Sequence, residues 1–464
     1  MVERIMVPFQ GDGEGVDELT WAQIGLWQGM VVTGRSVTMA GSTPLPPATT
    51  VEQMADVLGY AVGRHQSLRT RLRPRDDGLP LQVCVAAGEV PLEIVDTADP
   101  ASAAREVESR YRETNFDYEN EFPVRMAVIR HSGQVVHMVA VYLHTALDAG
   151  GLEALLADIF GRDPVTGTGK PVTAIQPLQQ ARKQRTPAVR RQSAASMAYL
   201  EHALRTMHPS QFGEPRHEDR GIRMIRHRSP ATALAVPRIA AREGMNTSSV
   251  LLAVFAVGLA RVLGHGRIMA MLMVGNRFRP GFAESVSPLV QLSPYLIDVG
   301  GVSLREAAGR ARTSVFNAYK NAYYDPYEQE AVIDRVKADR GDIDYSCVYN
   351  DRRSSDRDTQ HQRLPADEEI RAALPRAEHD WEYRPDRSSR HLFVTVEDAR
   401  DGVDAIDFVM TADTRYFTDD DIVAIAAEFE NVAVQAAIEP ELATGVESGV
   451  IQHVRARARP VVTT

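Results

Sequence analysis

The stretch QVVHMVAVYLHTALDAGG, Gln134 to Gly151, joins an apolar run to the first turns of an amphipathic helix. Strand periodicity sets Val135, His137, Val139, Val141 and Leu143 on one face, and Val136, Met138, Ala140, Tyr142 and His144 on the other. Beyond the pair Gly150–Gly151, Leu152, Leu155, Leu156, Ile159 and Phe160 recur at helical spacing. A strand that feeds a helix through a short turn is a unit of an α/β lobe, and the turn presents side chains from a rigid scaffold. His144 sits at that strand end and is the candidate for chemistry. His137 points the other way and reads as a packing residue.

Working outward, VERIMVPF, LQVCV and PLEIV read as further strands of this lobe, and TWAQIGLWQGM and VEQMADVLGYAVGRH as helices. From Gly161 to about Pro187 the sequence turns to Gly, Pro, Thr, Gln and basic residues, the composition of a linker, which places a boundary near 175. The expected lobes are 1–175 and 176–464. The second lobe again alternates helices and strands. It holds a core helix over Thr247–Leu263, a strand IMAMLMVGNR, a helix over SLREAAGRARTSVFNAYKNAYY, strands IDYSCVYN, HLFVTVED and AIDFVMTA, and a closing helix DDDIVAIAAEFENVAVQAAI. Two such lobes suggest a ligand cleft between them. The charged segment Asp351–Arg376 and the tail HVRARARPVVTT read as surface loops.

A chain of 464 residues is too long for one small core, and 44% apolar with 25% charged residues excludes disordered and fibrous classes. A formal charge of -10 disfavours nucleic acid and anionic membranes as partners. Two cysteines, Cys84 and Cys347, are too few for a disulfide framework or a thiolate zinc site and suit a reducing, cytoplasmic compartment. The N-terminus has no apolar run of signal-peptide length, and Val250–Leu263, interrupted by Arg261, is shorter than the roughly 20 residues a membrane span needs. No metal-ligand spacing, P-loop, Rossmann glycine pattern or GxSxG elbow occurs, so no intrinsic metal or cofactor is expected.

A histidine four residues ahead of an aspartate is a weak pattern alone, and other segments give it weight. LHTALDA resembles the HHxxxDG signature of the condensation-domain superfamily of nonribosomal peptide synthesis, with a chloramphenicol acetyltransferase-like fold. LTWAQIGLW (Leu19–Trp27) and RHQSLRTRL (Arg64–Leu72) resemble that family's first and second motifs, in the expected order. FDYENEFPVR (Phe116–Arg125), NTSSVLLAVFAVGLARVLG (Asn246–Gly264), VGNRFRP (Val274–Pro280) and CVYN (Cys347–Asn350) are similar to later blocks. The resemblance implies two acetyltransferase-like lobes forming a V around an active-site tunnel, and a free-standing condensation enzyme. It further implies His144 as catalytic residue, and Asp148 paired bidentately with Arg277 of the other lobe. Gly150 is a support, and Tyr142, Phe278, Ser287, Gln291 and Asn350 are tunnel residues. Two positions depart from the signature: Leu143 replaces its first histidine and Ala149 its glycine, where a Cβ could narrow a pantetheine channel or alter the backbone. In SPLVQLSP, Ser287 and Gln291 replace the family's glycine and asparagine, implying a differently shaped floor loop.

The reaction implied is acyl transfer from a thioester on the phosphopantetheine arm of a peptidyl or acyl carrier protein to a small amine or alcohol, free or tethered. The alternatives are an acyltransferase of the superfamily that uses acyl-CoA or a polyketide carrier, and a non-catalytic protein that docks a carrier or recruits a tailoring enzyme. The basic run Arg182, Lys183, Arg185, Arg190 and Arg191 reads as a solvated helix, with docking of an acidic carrier as the competing reading.

Overall fold

Side-chain caps fix where many of the helices start. Thr20, Thr50, Ser303 and Thr418 each close a reciprocal box with the residue three positions on, and Asp99, Asp148, Ser229 and Asn246 cap with one bond. The computed structural model describes residues 2–76, 78–163, 165–218, 220–353, 363–382, 390–399 and 402–447. These fall into two compact units. The first holds the chain up to Ser193 together with Gly275–Gln291 and Tyr324–Pro326. The second holds Ala194–Val274, Leu292–Tyr323 and the chain from Tyr327 onward.

The first unit contains, in chain order, β1 (Val2–Gln10), β2 (Gly15–Glu18), α1 (Trp21–Thr33), β3 (Thr38–Pro44), α2 (Val51–Arg64), β4 (Thr70–Arg73), β5 (Leu81–Cys84), β6 (Ala87–Asp96), α3 (Pro100–Glu113), β7 (Val124–His131), β8 (Gln134–Leu143), α4 (Ala149–Phe160) and α5 (Pro177–Gln184). Its main sheet runs β1-β6-β7-β8-β3 and is antiparallel except for β6 with β7, while β2-β5-β4 form a small second sheet. Apolar side chains cover both faces of the main sheet. Val7, Leu58, Val62, Leu92 and Val128 form one cluster, and Ala104, Val107, Ile129, Val139 and Val141 the other. The Gly161–Pro187 stretch read as a linker carries α5, whose Leu178, Gln180, Ala181 and Gln184 are buried. Four residues of the basic run that starts at Arg182 contact other parts of this unit: Arg182 and Arg185 pair with Asp17, Arg190, at the start of the next helix, with Asp325, and Lys183 lies over the Phe282 ring.

The chain passes along α6 (Pro187–Thr206) into β9 (Ile222–Ser229), α7 (Pro230–Glu243), α8 (Thr247–Leu263), β10 (Arg267–Val274), β11 (Gln291–Asp298), α9 (Leu304–Lys320), α10 (Pro326–Arg340), β12 (Cys347–Asp351), α11 (Asp367–Ala373), β13 (Glu378–Glu382), β14 (Leu392–Asp398), β15 (Ile406–Asp413) and α12 (Asp419–Ile438). The seven-stranded sheet β11-β10-β12-β14-β15-β9-β13 packs against α7, α8, α9 and α12 in one core. Every residue of α8 from Ser249 to Ala260 is buried, as expected of a core helix, and no single described helix is long and apolar enough to cross a membrane. The Asp351–Arg376 segment is not all loop. Ile370 and Ala373 bury one side of α11 against α7, while residues 354–362 and the tail HVRARARPVVTT lie outside the described residues.

Candidate active site

The strand β8 delivers the candidate histidine. Val139, Val141 and Leu143 enter the cluster beside α3, and Met138 and Tyr142 the opposite one, as strand alternation requires. Val135 breaks the expected pattern and joins the Tyr142 face. A register shift between β7 and β8, where Ile129 pairs with His137 but Arg130 with Val135, inserts Val136 as an extra residue and reverses the sides. Leu143 is 3% exposed. The strand ends as the Leu143 amide donates to the Pro123 carbonyl at 3.0 Å and the His144 amide to the Val37 carbonyl at 2.8 Å. His144 is half-buried, and its Nδ1 is buried with no hydrogen-bond partner, so Nε2 is the nitrogen that can meet a substrate.

Four residues later Asp148, 1% exposed, caps α4 and accepts four hydrogen bonds. Oδ1 takes the Gly151 amide at 2.7 Å and Nη2 of Arg277 at 2.6 Å, and Oδ2 takes the Leu289 and Val290 amides at 2.7 and 3.1 Å. The expected pairing with Arg277 is present, with two corrections. The contact is made through one carboxylate oxygen rather than two, because backbone N–H groups occupy the other. Arg277 also belongs to the same compact unit as Asp148, since Gly275–Gln291 folds with the first unit. With its oxygens committed, Asp148 makes no bond to His144, and the two do not form a carboxylate–imidazole dyad.

Arg277 lies across Gly150. A Cβ there would stand 2.1 Å from Nε, and one at Gly151 would meet the Ser287 carbonyl at 3.1 Å. The demand for glycine therefore falls on positions 150 and 151. Ala149 is exposed in the first turn of α4 and takes no left-handed backbone conformation, so its Cβ costs nothing locally. The guanidinium also donates to carbonyls of the floor segment: Nη1 to Ser285 at 2.8 Å and, more weakly, to Phe282 and Ala283 at 3.4 Å, and Nη2 to Ser287 at 3.2 Å. Asn276 enters that segment at φ 57°, a left-handed conformation that asparagine tolerates, and anchors it by donating to the Leu289 carbonyl at 3.0 Å.

The other candidates divide by place. Ser287 is buried and shares a hydroxyl bond of 2.8 Å with Ser285, which in turn donates to the Ile175 carbonyl. Gln291 donates to the Tyr324 carbonyl at 2.7 Å and so clamps Tyr324–Pro326 to the first unit. Phe278 is 59% exposed beside Arg279. Tyr142 is half-buried, and burial pushes its phenol up to about 12. Asn350 belongs to the second unit, half-buried in β12 opposite Thr395 of β14. Among the described residues no group of three or more His, Cys, Asp or Glu side chains is arranged to hold a metal ion.

Residues that sequence reasoning did not single out complete the site. The Leu289 and Val290 amides are backbone groups and leave no sequence signal. Ser67, inside the second motif, donates to the Val286 carbonyl at 2.6 Å and ties that motif to the floor segment. In the same motif Arg69 is fully buried and donates to the carbonyls of Asp12, Gly13 and Val85, while Arg64 and His65 hold Asp158.

The family model for the condensation domain matches residues 14–444. Phosphinothricin tripeptide synthetase PhsC of Streptomyces viridochromogenes is 25% identical over 358 residues, which span 72% of this chain and 32% of the synthetase, so the match covers about a third of that relative. Among solved structures, the condensation domain of the monacolin K polyketide synthase MokA superposes with a TM-score of 0.71 at 14% identity, covering 93% of this chain and 100% of that one. The SgcC5 protein of Streptomyces globisporus superposes with a TM-score of 0.65 at 18% identity, covering 92% and 100%. At these identities the superpositions establish the fold. With the family match over nearly the whole chain, they show that the protein belongs to the condensation-domain family.

Proposed function

We propose that the protein joins an acyl or aminoacyl group, carried as a phosphopantetheine thioester on a peptidyl or acyl carrier protein supplied in trans, to an amine or alcohol acceptor. The acceptor nitrogen or oxygen attacks the thioester carbonyl, His144 Nε2 takes the proton the nucleophile loses, the C–S bond breaks as an amide or ester forms, and the departing thiolate takes that proton back and leaves as the thiol. A thioester is already activated, so most of the rate comes from aligning two substrates, and general-base help adds about 10²–10⁴-fold. An alcohol draws more on His144 than an amine, because a hydroxyl is essentially undissociated at neutral pH.

The observation that carries this reading is the junction at His144. One imidazole nitrogen is buried, the other is left for substrate, and the turn is fixed on its far side by a buried carboxylate with four donors. Membership of a family that forms amide and ester bonds supports it. The test is donor preference in single-turnover assays with a panel of loaded carriers and their acyl-CoA counterparts. Faster turnover of the tethered thioester supports the proposal. Preference for acyl-CoA moves the assignment to the CoA-dependent class, and no turnover of either moves it to a docking protein.

A further inference from the structure

The first motif, LTWAQIGLW, takes no part in the chemistry above, yet one of its side chains reaches the turn that bears His144. Thr20 caps α1 by accepting the Gln23 amide at 3.4 Å, and Gln23 Oε1 accepts the Thr20 amide at 2.8 Å. This reciprocal box uses one end of the Gln23 amide group. The other end, Nε2, donates to the carbonyl of Thr145 at 3.1 Å. Gln23 is 2% and Thr145 4% exposed, so water does not compete for the bond.

Thr145 follows His144 directly, and the histidine side chain has no bond at Nδ1 to fix it. The backbone that aims its Cα–Cβ bond is held on both sides: the His144 amide by the Val37 carbonyl, and the Thr145 carbonyl by Gln23. A glutamate at position 23 would close the capping box equally well, but would turn a carboxylate oxygen toward the Thr145 carbonyl. The helix cap accepts either residue, whereas the bond to Thr145 requires the amide.

We infer that Gln23 is a positioning residue for His144, acting through the Thr145 carbonyl. The inference rests on the reading that His144 carries the chemistry. It extends that reading to the role of the first motif, which braces the catalytic turn from α1.

The experiment uses the full chain with Gln23→Glu, which keeps the cap and removes the donor, and Gln23→Met, which keeps the side-chain length without polar atoms. Two quantities are read. The first is amide hydrogen exchange over residues 143–147. The second is turnover of an aminoacyl-pantetheine thioester with a primary amine, alone and combined with His144→Ala. Gln23→Glu is expected to speed exchange in that segment tenfold or more. It is also expected to lower kcat tenfold or more with donor KM within twofold, and to add less than a twofold loss when His144 is already alanine. Gln23→Met should move both in the same direction. Unchanged exchange at 143–147, or an equal rate loss with and without His144, would overturn the inference. If His144→Ala itself leaves the rate unchanged, the role of His144 falls, and the exchange result still decides whether Gln23 holds the turn.

Discussion

Nη2 of Arg277 meets Oδ1 of Asp148 at 2.6 Å, joining residues 129 apart in sequence inside one compact unit. The carboxylate also receives three backbone amides, so the pair is the centre of a buried network rather than an isolated bridge. Removing one partner leaves the other desolvated and short of bonds.

Asp148→Asn and Arg277→Ala are each expected to destabilise the protein, by about 2–5 kcal/mol. Asp148→Asn should cost more, because an amide nitrogen must then face either the Leu289 and Val290 amides or the Gly151 amide and Arg277. After Arg277→Ala the carboxylate still keeps three donors. The double variant should cost well under the sum of the singles in equilibrium denaturation, as contacting residues do. Strict additivity would show that the two are not coupled.

Glycine is needed at 150 and not at 149. Gly150→Ala places a Cβ 2.1 Å from Arg277 Nε, and the forced shift should cost about 1–3 kcal/mol. Ala149→Gly restores the family's residue at an exposed helical position and should change stability by no more than about 1 kcal/mol, with turnover within a few-fold of the parent. Thermal denaturation of the two variants side by side separates these outcomes.

Restoring the other signature residue, Leu143→His, should lower stability by about 1–3 kcal/mol without raising the rate. Position 143 is 3% exposed among Val139, Val141, Ile129 and Val107, where an imidazole finds no partner. A tenfold faster single turnover at unchanged melting temperature would mean instead that Leu143 occupies a lost catalytic position.

Buried His227 and half-buried Asp158 both contribute to the pH dependence of stability. Burial, with the neighbouring His379, lowers His227 in β9 from 6.5 to about 4. The unfolded chain therefore binds a proton that the folded chain refuses between those values, and stability falls as the pH drops through that window, by up to about 3 kcal/mol. Burial raises the Asp158 carboxyl, but His65 and Arg64 outweigh it and hold it at about 2, below its ordinary 3.8. Its contribution is present above 3.8 and is lost toward pH 2. Denaturant titrations at pH 7, 5.5 and 4.5 should show a decline that His227→Leu reduces. The same slope in both proteins would place the proton uptake elsewhere.

Much of the fold is legible in the sequence where local and global preferences agree. Both α8 and α12 begin and end where apolar spacing and caps place them, and the alternation of β8 separates Leu143 from Tyr142. Strands such as β9, IRMIRHRS, are not legible, because their charges make sense only once the neighbours are known. Arg226 and Arg228 are neutralised by Asp407 of β15, and Arg226 also by Glu382 of β13. The shift that moves Val135 across the sheet depends on a bulge against β7, and three of the four bonds to Asp148 come from backbone amides, which no residue type encodes. For the candidate site, the contact between Asp148 and Arg277 is readable from their two motifs. Membership of Arg277 in the first unit is not, since it follows from how 275–291 packs.

The most direct test of the acyl-transfer reading is the single-turnover rate of His144→Ala on one carrier-tethered thioester, measured with its melting temperature. His144 sits at a strand end outside both apolar clusters of the first unit, so the variant should fold. We expect its rate to fall by at least about 10²-fold, and further for an alcohol acceptor than for an amine. A folded variant that turns over at the parent rate would contradict the assignment of His144 as the base.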